Sequence, residues 1–488
     1  MRLKRWQIIG LFVFGAIALI GTGAYRYFFH DPLPEVSAAA GEDFFFHRDL
    51  GARYQTGLPY PLALAALERY PEELGGDRET FCEKFGVLQW PDDSSKLPVG
   101  FVLRYDRLTG VDLLMSNCSL CHSAMVDGQI VPGLGNRNIR LEALNRSIMN
   151  IASKEDFTAQ NLLPLAKEVA QRRGLAWGIG TPAAIRKAIE VLREQAHTDK
   201  TATWGGISGL DSGPGRNTPV EFGKSRSHVT VGAPYGYTKI PTIWVYGLRE
   251  TFACDGSIEG DRAIALAAVE FNKGMTPAEI LHRMPEWESI YAYLREIKAP
   301  AYPNEIDQNL AQHGAEIFSS NCSECHGEYE GDIVYSESVI PLDEIGTDPD
   351  RILAMSDALV SARRDGPLAE LMQVKRTEGY VPPPLLGIWC RGPYLHNGSV
   401  PTLEDMLRDP SERPTEYFVG GDTAYDLQRV GIAYEEGLIG DRRIGRRFSE
   451  SQYRFATTDD GSSNQGHEFG TDLSSGDKAA LLEYLKTL

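Results

Sequence analysis

Two short stretches of the sequence share one pattern, NCSLCHSAMVDG at residues 117–128 and NCSECHGEYEG at residues 321–331. Each contains Cys-x-x-Cys-His, which is typical of covalent c-type haem attachment. Two cysteines at this spacing reach the two vinyl groups of one porphyrin, and the next residue presents its imidazole to the iron. The six residues are Cys118, Cys121, His122, Cys322, Cys325 and His326.

A structural zinc site is the main alternative for each box, because Cys-x-x-Cys pairs also bind zinc. Zinc sites rarely place a histidine directly after the second cysteine. The boxes therefore predict two covalently bound c-type haems, with His122 and His326 as the iron ligands on the attachment side.

The composition is that of a globular protein with an acidic surface. The chain has 488 residues, 42% of them hydrophobic and 24% charged, and a net charge of −18. This balance argues against a nucleic-acid partner, which would need a basic stripe. It permits docking of a basic redox partner protein.

The N-terminus carries an uncharged, mostly apolar run at residues 6–25, preceded by Arg2, Lys4 and Arg5. This run is either a membrane anchor or, through residues 8–20, the apolar part of a cleaved signal peptide. The anchor interpretation predicts a protein on the periplasmic side of the bacterial inner membrane. Cleavage would release it into the periplasm.

Domain limits follow from composition and helix signals. Residues 1–30 form the signal anchor or signal peptide, and residues 31–90 a linker and N-terminal extension. Residues 91–299 and 300–488 each contain a haem box followed by a loop-rich middle and a closing amphipathic helix. The predicted fold class is mainly α, with two cytochrome c-like domains that carry long loop insertions after an N-terminal membrane segment.

The sixth iron ligands decide between electron transfer and chemistry, because an empty position lets O2 or H2O2 reach the iron. For the second haem the prediction is His396, in the Pro/Gly-rich loop at residues 382–407. The alternatives are Met355, Met372 and Met406.

The first haem has no comparable partner in the sequence, which favours an open or labile sixth position. His197, His228 and His282 lie downstream of its box, and Met275 is the strongest rival ligand, because it directly precedes the closing helices. The three cysteines outside the boxes, Cys82, Cys254 and Cys390, allow at most one disulfide.

Several stretches resemble the bacterial di-haem cytochrome c proteins related to cytochrome c peroxidases, and in particular the branch that contains the secreted rubber oxygenase. They are LPVGF, IPTIWVYGLRETFACDGS, IGTDPDR, GIWCRGPYLHNGSVPTLEDML and SSNQGHEFGTDLSSGDKAALLEYLKTL, within residues 98–488. The resemblance implies oxygen or peroxide chemistry at the N-terminal haem and electron transfer at the C-terminal haem.

The resemblance also implies roles for single residues. His396 would be the sixth ligand of the second haem, and Trp244 or Trp389 would be the aromatic residue beside or between the haems. His467 would bind a propionate or fix a turn. Cys390 and Cys254 depart from the family pattern, since an aromatic residue is expected at the position of Cys254.

These observations predict an exported di-haem oxidoreductase that is peroxidase- or oxygenase-like. Catalysis would occur at the open face of the haem bound by His122, with Trp244 as a weaker catalytic candidate. The oxidant would be H2O2 or O2, with an organic substrate or a redox partner protein as the electron source. The alternative is a non-catalytic electron carrier with both haems six-coordinate.

Overall fold

The computed structural model describes residues 33–49, 57–92, 97–201, 213–217, 234, 236–266, 275–366, 368–419, 424–434 and 453–488. Its helices in the first part of the chain are α1 Ala38–Phe46, α2 Tyr60–Arg69, α3 Pro71–Leu74, α4 Arg78–Phe85, α5 Leu141–Ala152, α6 Ala159–Arg173 and α7 Thr181–Thr201. Later helices are α8 Pro277–His282, α9 Met284–Glu296, α10 Gln308–Asn321, α11 Ser323–His326, α12 Leu342–Ile345, α13 Asp350–Ala354, α14 Asp357–Arg364, α15 Leu403–Met406 and α16 Ser475–Leu485.

The strands are short and all pair antiparallel. They are β1 Leu58–Pro59, β2 Phe101–Asp106, β3 Val111–Ser116, β4 Ser123–Val126, β5 Gln129–Pro132, β6 Arg216–Asn217, β7 Thr238–Lys239, β8 Ile258–Gly260, β9 Ile340–Pro341, β10 Met372–Val374, β11 Gly379–Tyr380, β12 Glu416–Val419, β13 Tyr425–Asp426, β14 Gly431–Ile432 and β15 Tyr453–Ala456. One sheet has the order β1-β3-β2, and the other pairs are β4–β5, β6–β7, β8–β10, β9–β11, β12–β15 and β13–β14.

The predicted fold class, a mainly α chain preceded by a membrane segment, is wrong. Helices account for 41% and strands for 14% of the structure. The strands arise because buried backbone N–H and C=O groups in the long loops must pair, and short ribbons satisfy them. No helix in the described ranges is long and apolar enough to cross a membrane, and the run at residues 6–25 lies outside those ranges.

Two helix pairs repeat the same packing, α1 against α9 and α10 against α16. A Cβ atom added at Gly41 would lie 2.0 Å from the carbonyl oxygen of Ser289. A Cβ atom added at Gly314 would lie 2.0 Å from the carbonyl oxygen of Ala480. Each crossing therefore requires glycine on the first helix of the pair, α1 or α10, because the two backbones are in contact there.

The helix caps explain where the two closing segments begin. Thr276 caps α8, and its side chain and that of Glu279 form a capping box. Ser474 caps α16 by accepting a hydrogen bond from Asp477 N. These local signals were readable in the sequence, whereas the predicted domain limits stay predictions.

Apolar side chains form two main cores. The larger core joins both helix pairs and contains Phe45, Met275, Trp287, Phe318 and Leu481. The smaller core lies among α2 and α4–α7 and contains Leu62, Phe85, Ile151, Leu162 and Ile185. The first haem box touches both, because Cys118 packs against the larger core and Cys121 against the smaller.

Candidate haem-binding sites

The first box forms a tight turn between β3 and β4. The Asn117 side chain accepts hydrogen bonds from Ser119 N at 3.2 Å and Ser119 Oγ at 2.7 Å. His122 N donates to Cys118 O at 2.9 Å. These local bonds fix the backbone that carries both cysteines and the histidine.

A carbonyl group from a distant segment orients His122. Its Nδ1 lies 3.0 Å from Pro241 O, 119 residues later in the chain. Nδ1–H therefore donates, and Nε2 keeps its lone pair. Burial lowers the pKa of the imidazole to about 4. A neutral ring with a fixed tautomer is the form that binds a metal.

In the second box, a proline carbonyl from a distant segment orients the histidine in the same way. His326 ends α11, and its Nδ1 lies 2.9 Å from Pro383 O, 57 residues later in the chain. Burial lowers the pKa of this imidazole as well. Gly327 follows at φ +86°, where an added Cβ would lie 2.6 Å from Val334 O. The box therefore leaves its helix through a position that favours glycine.

A second imidazole faces His326. The ring centroids of His326 and His467 are 6.2 Å apart. Two histidines that bind opposite sides of one metal have a similar separation, since each metal–nitrogen bond is about 2 Å long. His467 Nδ1 is buried and has no hydrogen-bond partner among the described residues. Burial lowers the pKa of this ring to about 4, and His326 adds to the effect.

The backbone holds His467 in a strained position. Its φ is +48°, and its N–H donates to Ile345 O at 2.7 Å. The preceding Gly466 packs against Gly346, because a Cβ atom added at Gly466 would lie 2.2 Å from the carbonyl carbon of Gly346. A non-glycine residue at positive φ is costly, and such strain is concentrated at functional sites.

His396, the predicted sixth ligand, lies in a different environment. Its ring stacks on Tyr380 with centroids 4.1 Å apart and an interplanar angle of 20°. Its Nε2 is buried without a hydrogen-bond partner in the described part of the chain. Burial lowers its pKa to about 3, helped by Arg351 and Arg216. The structure thus brings His467 beside His326. The role of His396 as an iron ligand stays a prediction.

Two loops have matching backbones, one in the first half of the chain, up to residue 299, and one in the second half, from residue 300 onwards. Residues 252–258 and 394–400 are each closed by an isolated antiparallel bridge between their end residues. The second position of each is a non-glycine residue at positive φ, Ala253 at 68° and Leu395 at 62°. Cys254 therefore occupies the position in the first loop that His396 occupies in the second.

The matching loops connect the two halves. Val381 N donates to Cys254 O at 2.8 Å, and Lys239 N donates to His396 O at 2.8 Å. Each donor lies two residues before the proline whose carbonyl orients a box histidine. Each loop is thus bonded to the segment that supports the other half's box.

The remaining candidates are in the core or on the surface. Trp244 Nε1 donates to Leu386 O at 3.0 Å, and Trp389 Nε1 donates to Pro300 O at 2.8 Å. Both indoles thus join segments from different parts of the chain. Met275 is 1% exposed. Met355, Met372 and Met406 are also buried, His197 and His282 are exposed, and His228 lies outside the described residues.

The three cysteines outside the boxes, Cys82, Cys254 and Cys390, form no disulfide in the structure. Cys82 and Cys390 are buried, and burial raises the pKa of each thiol to about 12. Burial raises the pKa of Cys254 to about 12 as well. Its thiol is therefore protonated at neutral pH.

The residues present at the boxes fit a c-type haem. Both box histidines keep Nε2 for a metal, and each follows two cysteines at the spacing of haem attachment. Among the described residues, no three His, Cys, Asp or Glu side chains converge as a metal site by themselves. A porphyrin supplies the four nitrogen ligands that such a histidine pair lacks.

Sequence reasoning did not identify His467 as a ligand candidate. It lies 141 residues after His326 in the chain, so no local spacing connects the two. The available signal was a Gly-His pair shortly before the closing helix of the second half.

Comparison with known proteins gives one family match. Residues 379–418 match the family described as RoxA-like, cytochrome c-like. The matched segment contains Pro383 and His396. A cytochrome c-like domain carries covalently bound haem, so this segment supports a haem-containing cytochrome.

Two curated relatives come from Sinorhizobium fredii. The uncharacterized protein y4iM is 28% identical over 256 residues, which cover 47% of this chain and 57% of the relative. The uncharacterized protein y4iJ is 28% identical over 260 residues, which cover 39% of this chain and 41% of the relative. The chain thus spans about half the length of the curated relatives it matches.

Proposed function

We propose that this chain is an exported di-haem c-type cytochrome oxidoreductase. Peroxidase- or oxygenase-like chemistry would take place at the first haem, and electron transfer at the second. The supporting observation is an asymmetry between the boxes. His326 has a second imidazole 6.2 Å away, whereas His122 has no aromatic or imidazole ring contact among the described residues.

At the second haem, Cys322 and Cys325 form the thioether bonds and His326 binds the iron. His467 would hold the same iron as a second imidazole ligand, which its ring separation from His326 favours. His396 is the alternative that the sequence and the family resemblance favour. A haem held by two imidazoles would supply electron transfer and no open iron site.

At the first haem, Cys118 and Cys121 form the thioether bonds and His122 binds the iron. The carbonyl of Pro241 makes the His122 ring a stronger ligand by accepting its Nδ1–H. A haem held there without a second ligand would supply the chemistry that activates O2 or H2O2. The chain contributes the orientation of the ligand and the apolar cores that exclude water.

The partners and the location follow from the same proposal. The oxidant is H2O2 or O2, and electrons come from an organic substrate or a basic redox protein that the charge of −18 attracts. The chain works in the periplasm, where c-type haem is normally attached.

A non-catalytic electron carrier is the second candidate, and Met275 favours it. This residue lies in the larger core directly before the helix pair α8 and α9, much as His467 precedes α16. A bond from its sulfur to the first iron would make both haems six-coordinate. Met275→Ala would then create a high-spin signal, whereas the enzyme proposal expects the native spectrum.

Electron paramagnetic resonance of the ferric protein tests the main proposal. We expect one high-spin haem that cyanide converts to low-spin and one low-spin haem that cyanide leaves unchanged. Two low-spin haems that respond to neither cyanide nor peroxide would exclude chemistry at the first haem.

A further inference from the structure

Three aromatic side chains that can be oxidised form a continuous series of ring contacts. The ring centroids of Tyr425 and Trp389 are 5.9 Å apart, and those of Trp389 and Tyr302 are 5.6 Å apart. Tyrosine and tryptophan side chains can each give up one electron to a strong oxidant, and rings in contact pass an electron on readily. We call these three residues the aromatic path.

The inner end of the aromatic path lies beside the first haem box. The guanidinium carbon of Arg137 lies 4.0 Å from the centroid of the Tyr425 ring. Arg137 directly follows Asn136, whose backbone N–H donates to Cys121 O at 2.7 Å. Cys121 is an attachment cysteine of the first box, so the path begins next to a segment that is bonded to that box.

The outer end of the aromatic path reaches the surface. Tyr302 is half-buried, and its neighbours Ala301 and Pro303 are exposed. Its hydroxyl donates to Leu427 O at 2.8 Å. A carbonyl oxygen is too weak a base to take up this proton, so an oxidised Tyr302 would release it to surface water.

The rings beside the second box form a different series. Tyr329 donates its hydroxyl to His326 O at 2.7 Å, and its ring centroid is 6.0 Å from that of Phe318. The Phe318 centroid is 5.2 Å from that of Tyr484. Phenylalanine is far harder to oxidise than tyrosine or tryptophan, so Phe318 interrupts this series. The contrast agrees with oxidative chemistry at the first haem and electron exchange at the second.

We propose that Tyr302 is a surface site at which small phenols are oxidised, and that Trp389 and Tyr425 connect it to the first haem. The inference rests on the proposed function and names a substrate class for it. A phenol suits this site because its O–H bond resembles that of tyrosine, so an electron and a proton can pass between the two.

The electrons and protons of this reaction balance. A haem at the first box would supply the reduction of one H2O2 to two water molecules, which consumes two electrons and two protons. Tyr302 gives one electron along the aromatic path and its phenolic proton to surface water. A phenol returns one electron and one proton to Tyr302 and becomes a phenoxyl radical. A second phenol supplies the second electron and proton in the same way.

The test compares Tyr302→Phe with Tyr484→Phe in the holoprotein. Tyr302→Phe removes the hydroxyl and keeps the ring beside Trp389, and Tyr484→Phe is the matched control beside the second box. We expect H2O2 to produce a free-radical signal in freeze-quenched electron paramagnetic resonance spectra, which ring-deuterated tyrosine should narrow. Tyr302→Phe should lose this signal and most of the oxidation of guaiacol by H2O2. Tyr484→Phe should retain both.

Two further measurements locate the site. Mass spectrometry of protein treated with H2O2 and a nitroso spin trap should find the adduct on Tyr302. Trp389→Phe interrupts the aromatic path without changing Tyr302, so it should lose the same signal. Trp389 is 3% exposed, and if this variant does not fold, Tyr302→Phe at the surface decides the question.

An unaltered radical signal and unaltered guaiacol oxidation in Tyr302→Phe would overturn the inference, and so would spin-trap adducts found only on other residues. If H2O2 changes the haem spectra but Tyr302→Phe behaves as the native protein does, the inference alone fails. If H2O2 leaves the spectra of both haems unchanged, the proposed function fails and the inference fails with it.

Discussion

At the scale of single residues, the two box histidines receive the same support but have different surroundings. Each donates Nδ1–H to a proline carbonyl, at 3.0 Å for His122 and 2.9 Å for His326. Only His326 has another imidazole at a distance suited to a shared iron. The proposed difference between the two haems therefore depends on His467, which the box pattern does not specify.

Replacing His467 with alanine should turn the second haem from low-spin to high-spin, because its iron would lose one of two strong ligands. His396→Ala is the matched comparison, and we expect it to leave the low-spin signal in place. Electronic absorption and electron paramagnetic resonance spectra measure both. The reverse result would make His396 the ligand.

The acid sensitivity of the fold should depend partly on His396. Its folded-state pKa is about 3, below the usual value near 6.5, because its charged form is poorly solvated. The unfolded chain binds the extra proton between these values, so stability falls as pH drops from about 6.5 towards 3. Between pH 7 and pH 4.5, the free energy of unfolding of His396→Gln should change less than that of the unaltered protein. Urea denaturation at both pH values measures it. An equal loss in both proteins would contradict this role.

At the scale of elements, the fold depends on helix crossings and on the bonds between loops. The pairs α1–α9 and α10–α16 each cross at a glycine. The capping signals of α8 and α16 could be predicted because a cap involves residues three apart. The partner of a crossing could not, because Gly314 meets Ala480 through packing that no local pattern encodes.

Gly314→Ala should destabilise the fold by about 2 kcal/mol, because its Cβ would collide with the Ala480 carbonyl oxygen. Gly476→Ala is the control, since the nearest atom to its added Cβ is Ser474 Oγ at 3.8 Å. That change should stabilise α16 by about 0.5 kcal/mol. Urea denaturation of both variants measures these effects, and equal stability would argue against the tight crossing.

At the scale of the whole molecule, the two halves are interlocked. Each matching loop is bonded to the segment that supports the other half's box. A change at one box can therefore alter the environment of the other.

The double variant Cys118→Ala and Cys121→Ala should leave one covalent haem per chain, because the first box loses both thioether bonds. The high-spin signal should disappear while the low-spin signal remains. Haem staining, a haemochrome assay and electron paramagnetic resonance measure these outcomes. Loss of the low-spin signal instead would reverse the assignment of the two haems.

The sequence by itself determined the two Cys-x-x-Cys-His boxes and predicts haem attachment there, because that chemistry depends on residues no more than four positions apart. It also determined the caps of α8 and α16, which are equally local. Only the tertiary structure decided that His467 faces His326 and that proline carbonyls orient both box histidines. These contacts join residues between 57 and 141 positions apart, and only the packing of the folded chain brings them together.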